Sequence, residues 1–117
     1  MVVETVEPER QTDRLFFALS DATRRDIVTQ TLDRERSVSE LGRLYPISLT
    51  AVQKHVEVLV GAGLVSKHRN GREQLVRGEI EQLRRAHQLL DELEALWRAR
   101  LERFEDVLNE VTGKEPE

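Results

Sequence analysis

The 117-residue sequence contains no cysteine. A disulfide framework, a thiolate metal site and a cysteine nucleophile are therefore excluded, and a reducing compartment is permitted. No run of about 18 apolar residues occurs that could cross a membrane. The first residues, MVVETVEPERQTDR, are acidic, whereas a signal peptide is basic and then apolar. We therefore expect an intracellular, cytoplasmic protein without a membrane partner.

Signatures of catalysis are also missing. The three histidines fall on three different predicted elements, so no shared catalytic base is visible. No Gly-x-Ser-x-Gly motif is present, and the glycines Gly61 and Gly63 follow a helix where a dinucleotide fingerprint requires a preceding strand. We predict that the protein is not an enzyme and carries no cofactor.

Aromatic residues make up only 4% of the chain and charged residues 34%, a composition that favours Leu-, Glu- and Arg-rich helices in one domain. The net charge of -4 is unevenly distributed. Residues 21–78 carry ten basic and seven acidic side chains, whereas residues 79–117 carry six and eleven. The middle segment is therefore the part of the chain expected to face an anion.

Two helices are predicted before residue 34. The segment QTDRLFFALS places three apolar side chains at helical spacing: Leu15, Phe16 and Leu19. Ser20 or Asp21 can cap the next helix, ATRRDIVTQTL. Its predicted buried stripe consists of Ile27, Val28 and Leu32.

A helix-turn-helix pattern follows. The segment SVSELGRLYP has a capping box formed by Ser37 and Glu40, and Pro46 ends the helix. Ser48 caps the next helix, SLTAVQKHVEVLVGAG, which has an apolar stripe of Val52, Val56, Leu59 and Val60. With the charged hairpin that comes next, these helices predict a mainly α fold with a small β-hairpin, a winged helix-turn-helix.

The hairpin segment SKHRNGREQLVR contains an Asn-Gly pair, which usually forms a two-residue type I′ turn. A turn at Asn70 and Gly71 would place Arg69 directly opposite Arg72, where like charges repel. An anion lying against the hairpin would relieve that repulsion. A charged sheet edge that prevents aggregation is the other interpretation.

A long helix is predicted from about Glu79. Apolar residues follow a 3-4 alternation to Val111, and no Pro or Gly interrupts the segment before Thr112. About 33 residues would span roughly 50 Å, whereas a domain of this size has a radius of gyration of about 13 Å. We therefore expect this helix to mediate self-association. Residues 12–111 are predicted to form one winged helix-turn-helix domain that includes this dimerisation helix, between disordered tails at residues 1–11 and 112–117.

The fourth predicted helix presents polar residues opposite its apolar stripe. A helix laid in the major groove contacts bases near its N-terminal end, where Gln can pair with adenine and Lys can reach guanine or phosphate. An ordinary solvated face is the alternative for each residue taken singly. The candidate DNA-contacting residues are Thr50, Ala51, Gln53, Lys54 and His55 on the helix, with Arg69 and Arg72 on the hairpin.

Three segments together resemble the ArsR (arsenic-repressor-like) family of winged-helix transcriptional regulators: LSDATRRDIV, SVSELGRLYPISLTAVQKHVEVLVGAGLVSKHRNGREQLVR and LEALWRARLERFEDVL. The resemblance implies a homodimer that binds an imperfect inverted repeat in double-stranded DNA, usually as a repressor. It adds Ser48 to the recognition-helix positions. The first and last helices are expected to form the dimer interface, through Leu15, Phe16, Leu19, Leu90, Trp97, Leu101 and Phe104.

Metal-sensing members of that family carry a Cys-containing motif, which the matching segment SVSELGRL lacks. In the last helix, His87, Asp91 and Glu94 offer a single His, a poor set for zinc. The LW followed by RL in the last helix is similar to a metal-independent branch of the family. No metal site is expected, and the sequence indicates no effector. The acidic C-terminal segment leaves open an alternative function, a dimerising module that binds another protein and not DNA.

Overall fold

The computed structural model describes residues 6–113. Five α-helices and three short strands follow one another along the chain: α1 (Val6–Leu19), α2 (Ala22–Asp33), β1 (Arg36–Ser37), α3 (Val38–Leu44), α4 (Leu49–Gly61), β2 (Val65–Asn70), β3 (Glu73–Gly78) and α5 (Glu81–Thr112). The chain divides into two compact units, Met1–Ala86 and His87–Glu117. The predicted mainly α fold with a β-hairpin is confirmed.

Side-chain caps define where the helices of the first unit begin. The carboxylate of Asp21 accepts a hydrogen bond from the backbone N–H of Arg24 at the start of α2. Ser37 and Glu40 form the predicted capping box of α3. The hydroxyl of Ser48 accepts from the N–H of Ala51 at the start of α4. Each cap satisfies a backbone donor that the first helical turn leaves without a partner.

Two predictions about the helices were wrong. Residues 6–11 belong to α1 and not to a disordered tail, because the helical segment already starts at Val6. The rest of the predicted N-terminal tail, residues 1–5, and residues 114–117 of the predicted C-terminal tail lie outside the described residues. Thr112, which was assigned to the C-terminal tail, is the last residue of α5. In α2 the buried residues are Arg24, Ile27, Val28 and Thr31, an i, i+3, i+4, i+7 stripe, whereas Leu32 is exposed.

One apolar core lies in the first unit, where α1, α2, α3 and α4 pack on one another and on the sheet. Its largest fully buried side chains come from α2, α3, α4, the end of the α4–β2 connection and β3: Ile27, Leu41, Val52, Val56, Leu59, Leu64 and Val76. Burial of each contributes about 1.5–3 kcal/mol. Gly42 permits close contact within the helix-turn-helix, because a Cβ there would lie 2.9 Å from Cδ1 of Leu49.

The strands form an antiparallel sheet in the order β1-β3-β2. Asn70 pairs with Glu73, so the two turn residues are Gly71 and Arg72, and not Asn70 and Gly71 as predicted. Gly71 has φ of 64°, while no non-glycine residue of the described chain has positive φ. A type I′ turn needs positive φ at both central residues, whereas a type II′ turn needs it only at the first, where Gly71 lies.

The second unit consists of most of α5. Within residues 87–113 no side chain is buried, and the large apolar ones other than the half-buried Leu89 are exposed by about half or more. Leu90, Trp97 and Phe104 repeat every seven residues along the helix; Leu101 lies between Trp97 and Phe104, and Leu108 follows Phe104 by four residues. The chain alone therefore leaves a continuous apolar stripe of α5 in contact with solvent. Among residues 6–113, no helix has the length and apolar character needed to cross a membrane.

Candidate nucleic-acid interface

The N-terminal half of α4 presents the predicted polar face. Thr50, Gln53 and Lys54 are exposed, and Ala51 is half-buried. They lie opposite Val52 and Val56, which are held in the core. Because those two valines fix the rotation of α4 about its axis, the exposed face is determined by the packing of the first unit.

A groove of about 290 Å³ lies between α4 and the hairpin, next to Val38 of α3. Gln53 and Glu57 line it from the helix, and Lys67 and Gln74 line it from the sheet. Lys67 forms an ion pair with Glu57 across the groove. This pair is a direct side-chain link between the hairpin and α4.

Two arginines of the hairpin form no ion pair with any residue of the described range 6–113. Arg69 lies opposite Gln74, and Arg72 occupies the second turn position. Arg69 and Arg72 therefore do not lie directly opposite each other, and the prediction that they repel each other from opposed positions is wrong. Because side chains alternate along a strand, Arg69 shares a sheet face with Lys67, and Gln74 of the same face lines the groove.

Cations without an anionic partner occur on both elements. Of the ion pairs formed among residues 6–113, none includes Lys54, Arg69 or Arg72, whereas Arg77 is paired with Glu79 and Lys67 with Glu57. The hydroxyl of Ser66 and the guanidinium of Arg77 hold the pKa of Glu79 below its usual value. The unpaired cations are available to an external anion such as a phosphate.

Two predicted DNA-contacting residues have partners inside the protein. The hydroxyl of Ser48 is engaged as the cap of α4. The ring of His55 is half-buried and lies against the start of α2, where Arg24 Nη1 approaches its Nδ1 at 3.2 Å. The carboxylate Oδ2 of Asp21 is 4.0 Å from the same nitrogen.

The two carboxylate caps are held in their ionised form. The backbone N–H of Arg24 is the main cause of the lowered pKa of Asp21, and the positive charge of the Arg24 guanidinium adds to the effect. The backbone N–H of Ser37 and the guanidinium of Arg34 lower the pKa of Glu40. Negative charge at a helix N-terminus is favourable, so Asp21 stabilises α2 and Glu40 stabilises α3.

The residues predicted for the dimer interface differ in exposure. Leu15 is 2% exposed and belongs to the core of its own chain, so we exclude it from the interface. Phe16 and Leu19 are partly buried against that core, whereas their neighbour Phe17 is 61% exposed. Leu90, Trp97, Leu101 and Phe104 on α5 are all exposed.

The described part of the chain contains no group of three His, Cys, Asp or Glu side chains that could hold a metal ion. On α5, Nε2 of His87 lies 3.5 Å from Oδ2 of Asp91, and both side chains are exposed. This single pair lacks the further ligands that zinc requires.

Several residues of the site were missed in the sequence. The groove brings together Glu57, Lys67 and Gln74, which come from α4, β2 and β3. The Asn-Gly pair predicted a register in which Arg69 lies opposite Arg72, whereas in the structure Arg69 lies opposite Gln74. Arg24 was missed because an arginine in a helix is ordinarily exposed. One available signal was the i, i+3, i+4, i+7 spacing from Arg24 to Thr31, which follows the period of a buried stripe.

Comparisons with known proteins agree on the class. A family model described as a helix-turn-helix domain matches residues 19–68. The HTH-type transcriptional regulator Rv2034 of Mycobacterium tuberculosis is 45% identical over 56 residues, 48% of this chain and 52% of that protein. The match thus spans about half the length of that relative.

Solved structures match over most of the chain. An ArsR-like transcriptional regulator from Rhodococcus sp. RHA1 is 31% identical with a TM-score of 0.75, over 86% of this chain and 95% of that one. A crystal structure of an ArsR family transcriptional regulator is 29% identical with a TM-score of 0.73, over 77% of this chain and 93% of that one. A homodimeric winged helix-turn-helix DNA-binding domain from Mycobacterium bovis shares the fold at 23% identity and a TM-score of 0.64, over 81% and 88%.

Proposed function

Because the chain belongs to the ArsR family of winged helix-turn-helix transcriptional regulators, we propose that it binds double-stranded DNA as a homodimer, recognises an inverted-repeat operator and acts as a repressor. The observation that carries the proposal is the arrangement of unpaired cations beside exposed polar groups. Lys54 on α4 and Arg69 and Arg72 on the hairpin have no ion-pair partner within residues 6–113.

In this proposal α4 is the recognition helix and enters the major groove. Gln53 can pair bidentately with adenine, Thr50 and Ala51 can contact a thymine methyl group, and Lys54 can reach guanine or phosphate. Ser48, as the cap, keeps the first turn of α4 formed and leaves its N-terminal N–H groups near the DNA backbone. Gln53 is the main candidate for base readout, because its side chain is exposed and lines the protein groove between α4 and the hairpin.

The hairpin serves as the wing. Arg69 and Arg72 lie at its end, where two positive charges can neutralise phosphates without reading sequence. The ion pair of Lys67 with Glu57 links the wing to α4 beside Gln53, the side chain proposed to contact bases. Phosphate contacts of this kind make binding weaken as salt rises.

The homodimer is supported by the exposed apolar stripe of α5. Trp97, Leu101 and Phe104 are 54%, 48% and 62% exposed in the single chain, and an unpaired stripe of this length indicates a partner helix. A two-fold dimer of winged domains matches an inverted repeat, because each half-site then meets the same surface. The repressor role rests on the family: a dimer seated on an operator blocks access to the promoter.

Selection of bound sequences from a random duplex library tests the proposal. We expect enrichment of an inverted repeat, and retention on heparin that is lost as salt rises. Recovery of a single half-site would contradict the dimeric mode of binding. Absence of any enrichment, together with indifference to heparin at low salt, would contradict DNA binding and favour a module that binds another protein through its acidic C-terminal segment.

A further inference from the structure

Arg24 is a buried cation at the junction of three helices. The residue is 8% exposed, and its guanidinium lies 4.9 Å from the ring centroid of Phe17. Nε donates to the carbonyl of Ala18 at 2.8 Å, and Nη2 donates to the carbonyl of Phe17 at 3.0 Å. Arg24 therefore joins the C-terminal end of α1 to α2.

The remaining contact of Arg24 reaches the recognition helix. Nη1 lies 3.2 Å from Nδ1 of His55, which follows Gln53 and Lys54 on α4. An arginine has donors only and keeps its charge, so Nδ1 must be the acceptor of this hydrogen bond. In a neutral imidazole the proton then resides on Nε2. A protonated ring would instead direct an N–H at a buried guanidinium.

We propose that Arg24 is a positioning residue that holds His55 in its neutral Nε2–H tautomer, and that this Nε2–H donates to a phosphate oxygen of the bound DNA. The inference rests on the proposed function, because the acceptor is a DNA phosphate. His55 keeps a side-chain exposure of 23%, and among the hydrogen bonds of the described residues its Nε2 has no partner. A donor fixed in direction before binding loses little conformational entropy on contact.

Because His55 is neutral in this proposal, the salt dependence of DNA binding distinguishes its contact from those of Lys54 and the wing arginines. A cation that neutralises a phosphate releases counterions and contributes to the salt dependence of binding, whereas a neutral donor does not. Loss of the His55 contact should therefore weaken DNA binding by the same factor at every salt concentration. Loss of Lys54 or of a wing arginine should weaken binding most at low salt.

Nitrogen NMR of the free protein tests the tautomer without DNA. The two ring nitrogens of His55 give different ¹⁵N shifts when one carries the proton, and we expect the Nε2–H pattern. Arg24→Gln should produce a mixture of tautomers, while Arg25→Gln, at an exposed neighbour, should leave the pattern unchanged. An Nδ1–H pattern or a charged ring in the wild type near neutral pH would overturn the positioning role of Arg24.

Substitution of His55 tests the phosphate contact. In His55→Asn, the amide oxygen can replace Nδ1 as the acceptor for Arg24, but no group replaces Nε2. In His55→Gln, the amide nitrogen replaces Nε2 and the acceptor is lost. For a duplex that the wild type binds, we expect His55→Asn to fold normally and to bind about tenfold more weakly per protomer, with an unchanged salt slope. His55→Gln should recover part of that loss.

Two results would overturn the inference while leaving DNA binding intact. Wild-type affinity in His55→Asn would exclude the phosphate contact. If His55→Asn reduced the slope of log affinity against log salt concentration by about one per protomer, His55 would be charged in the complex. Failure of the wild type itself to bind any duplex would contradict the proposed function instead, and the NMR measurement would still test the link between Arg24 and His55.

Discussion

Tyr45 donates its phenolic hydroxyl to Oδ2 of Asp26 at 2.6 Å, which ties the turn between α3 and α4 to α2. Partial burial of the ring and the neighbouring carboxylate both raise the pKa of Tyr45, so the hydroxyl stays protonated at neutral pH. The turn sets the position of α4, and this bond is a side-chain anchor of the turn.

Tyr45→Phe removes that hydroxyl and keeps the ring. We expect the free energy of unfolding to fall by about 0.5–1.5 kcal/mol, because Asp26 is exposed and can bind water instead. Urea denaturation of Tyr45→Phe, Asp26→Ala and the double variant measures the coupling. Fully additive losses would mean that the two side chains do not interact in solution.

Asp21→Asn keeps an N-cap acceptor but removes a titratable carboxylate. Since the folded state lowers the pKa of Asp21, the ionised cap stabilises the protein above the unfolded pKa of about 4, and that contribution is lost as pH falls through the folded value. The stability difference between wild type and Asp21→Asn should therefore be constant near neutral pH and shrink below about pH 4. Thermal unfolding across this range measures it; a difference that grows in acid would contradict the assignment.

Gln53→Ala and Thr50→Ala should weaken binding to the selected operator much more than binding to random duplex. Each base contact discriminates by about 1–3 kcal/mol. Titrations of both DNAs by fluorescence anisotropy give the two affinities, with Gln88→Ala on α5 as the control. Equal losses on both DNAs would place these side chains against phosphates.

Replacing Arg69 and Arg72 together by Ala should lower affinity for every duplex and reduce the salt slope by about two per wing, because each cation releases counterions when it neutralises a phosphate. Arg77→Ala is the matched control, since Arg77 is already paired with Glu79. The measurement is the logarithm of affinity against the logarithm of salt concentration. An unchanged slope in the double variant would remove the wing from the DNA interface.

Leu101→Asp should abolish the dimer, because it places a carboxylate in the apolar stripe of α5. Burial of each apolar side chain there contributes about 1.5–3 kcal/mol, and two-fold symmetry doubles the contribution. Sedimentation velocity at micromolar concentration distinguishes monomer from dimer, and operator binding should be lost together with the dimer. Glu102→Ala should leave both unchanged. A monomeric wild type would contradict the proposal; a dimeric Leu101→Asp would move the interface to α1, where Phe17 is exposed.

Local signals in the sequence were sufficient for the helices of the winged domain. The caps at Asp21, Ser37 and Ser48 and the stripe of α4 depend on residues three or four positions apart, so their geometry is contained in one short segment. The heptad spacing in α5 likewise predicted a long uninterrupted helix. The family resemblance followed from these same segments.

Tertiary packing decided the features that depend on distant residues. The turn residues became Gly71 and Arg72 because β3 pairs with both β1 and β2, and this pairing overrode the usual preference of an Asn-Gly pair. Thr31 replaced Leu32 in the core because its hydroxyl donates to the carbonyl of Ile27 and is thereby satisfied when buried. The contact of His55 with Arg24 joins residues that are 31 positions apart in the sequence. Sequence periodicity predicts which side of a helix is apolar, but a pairing register and a polar contact between helices are decided by the free energy of the whole packed domain.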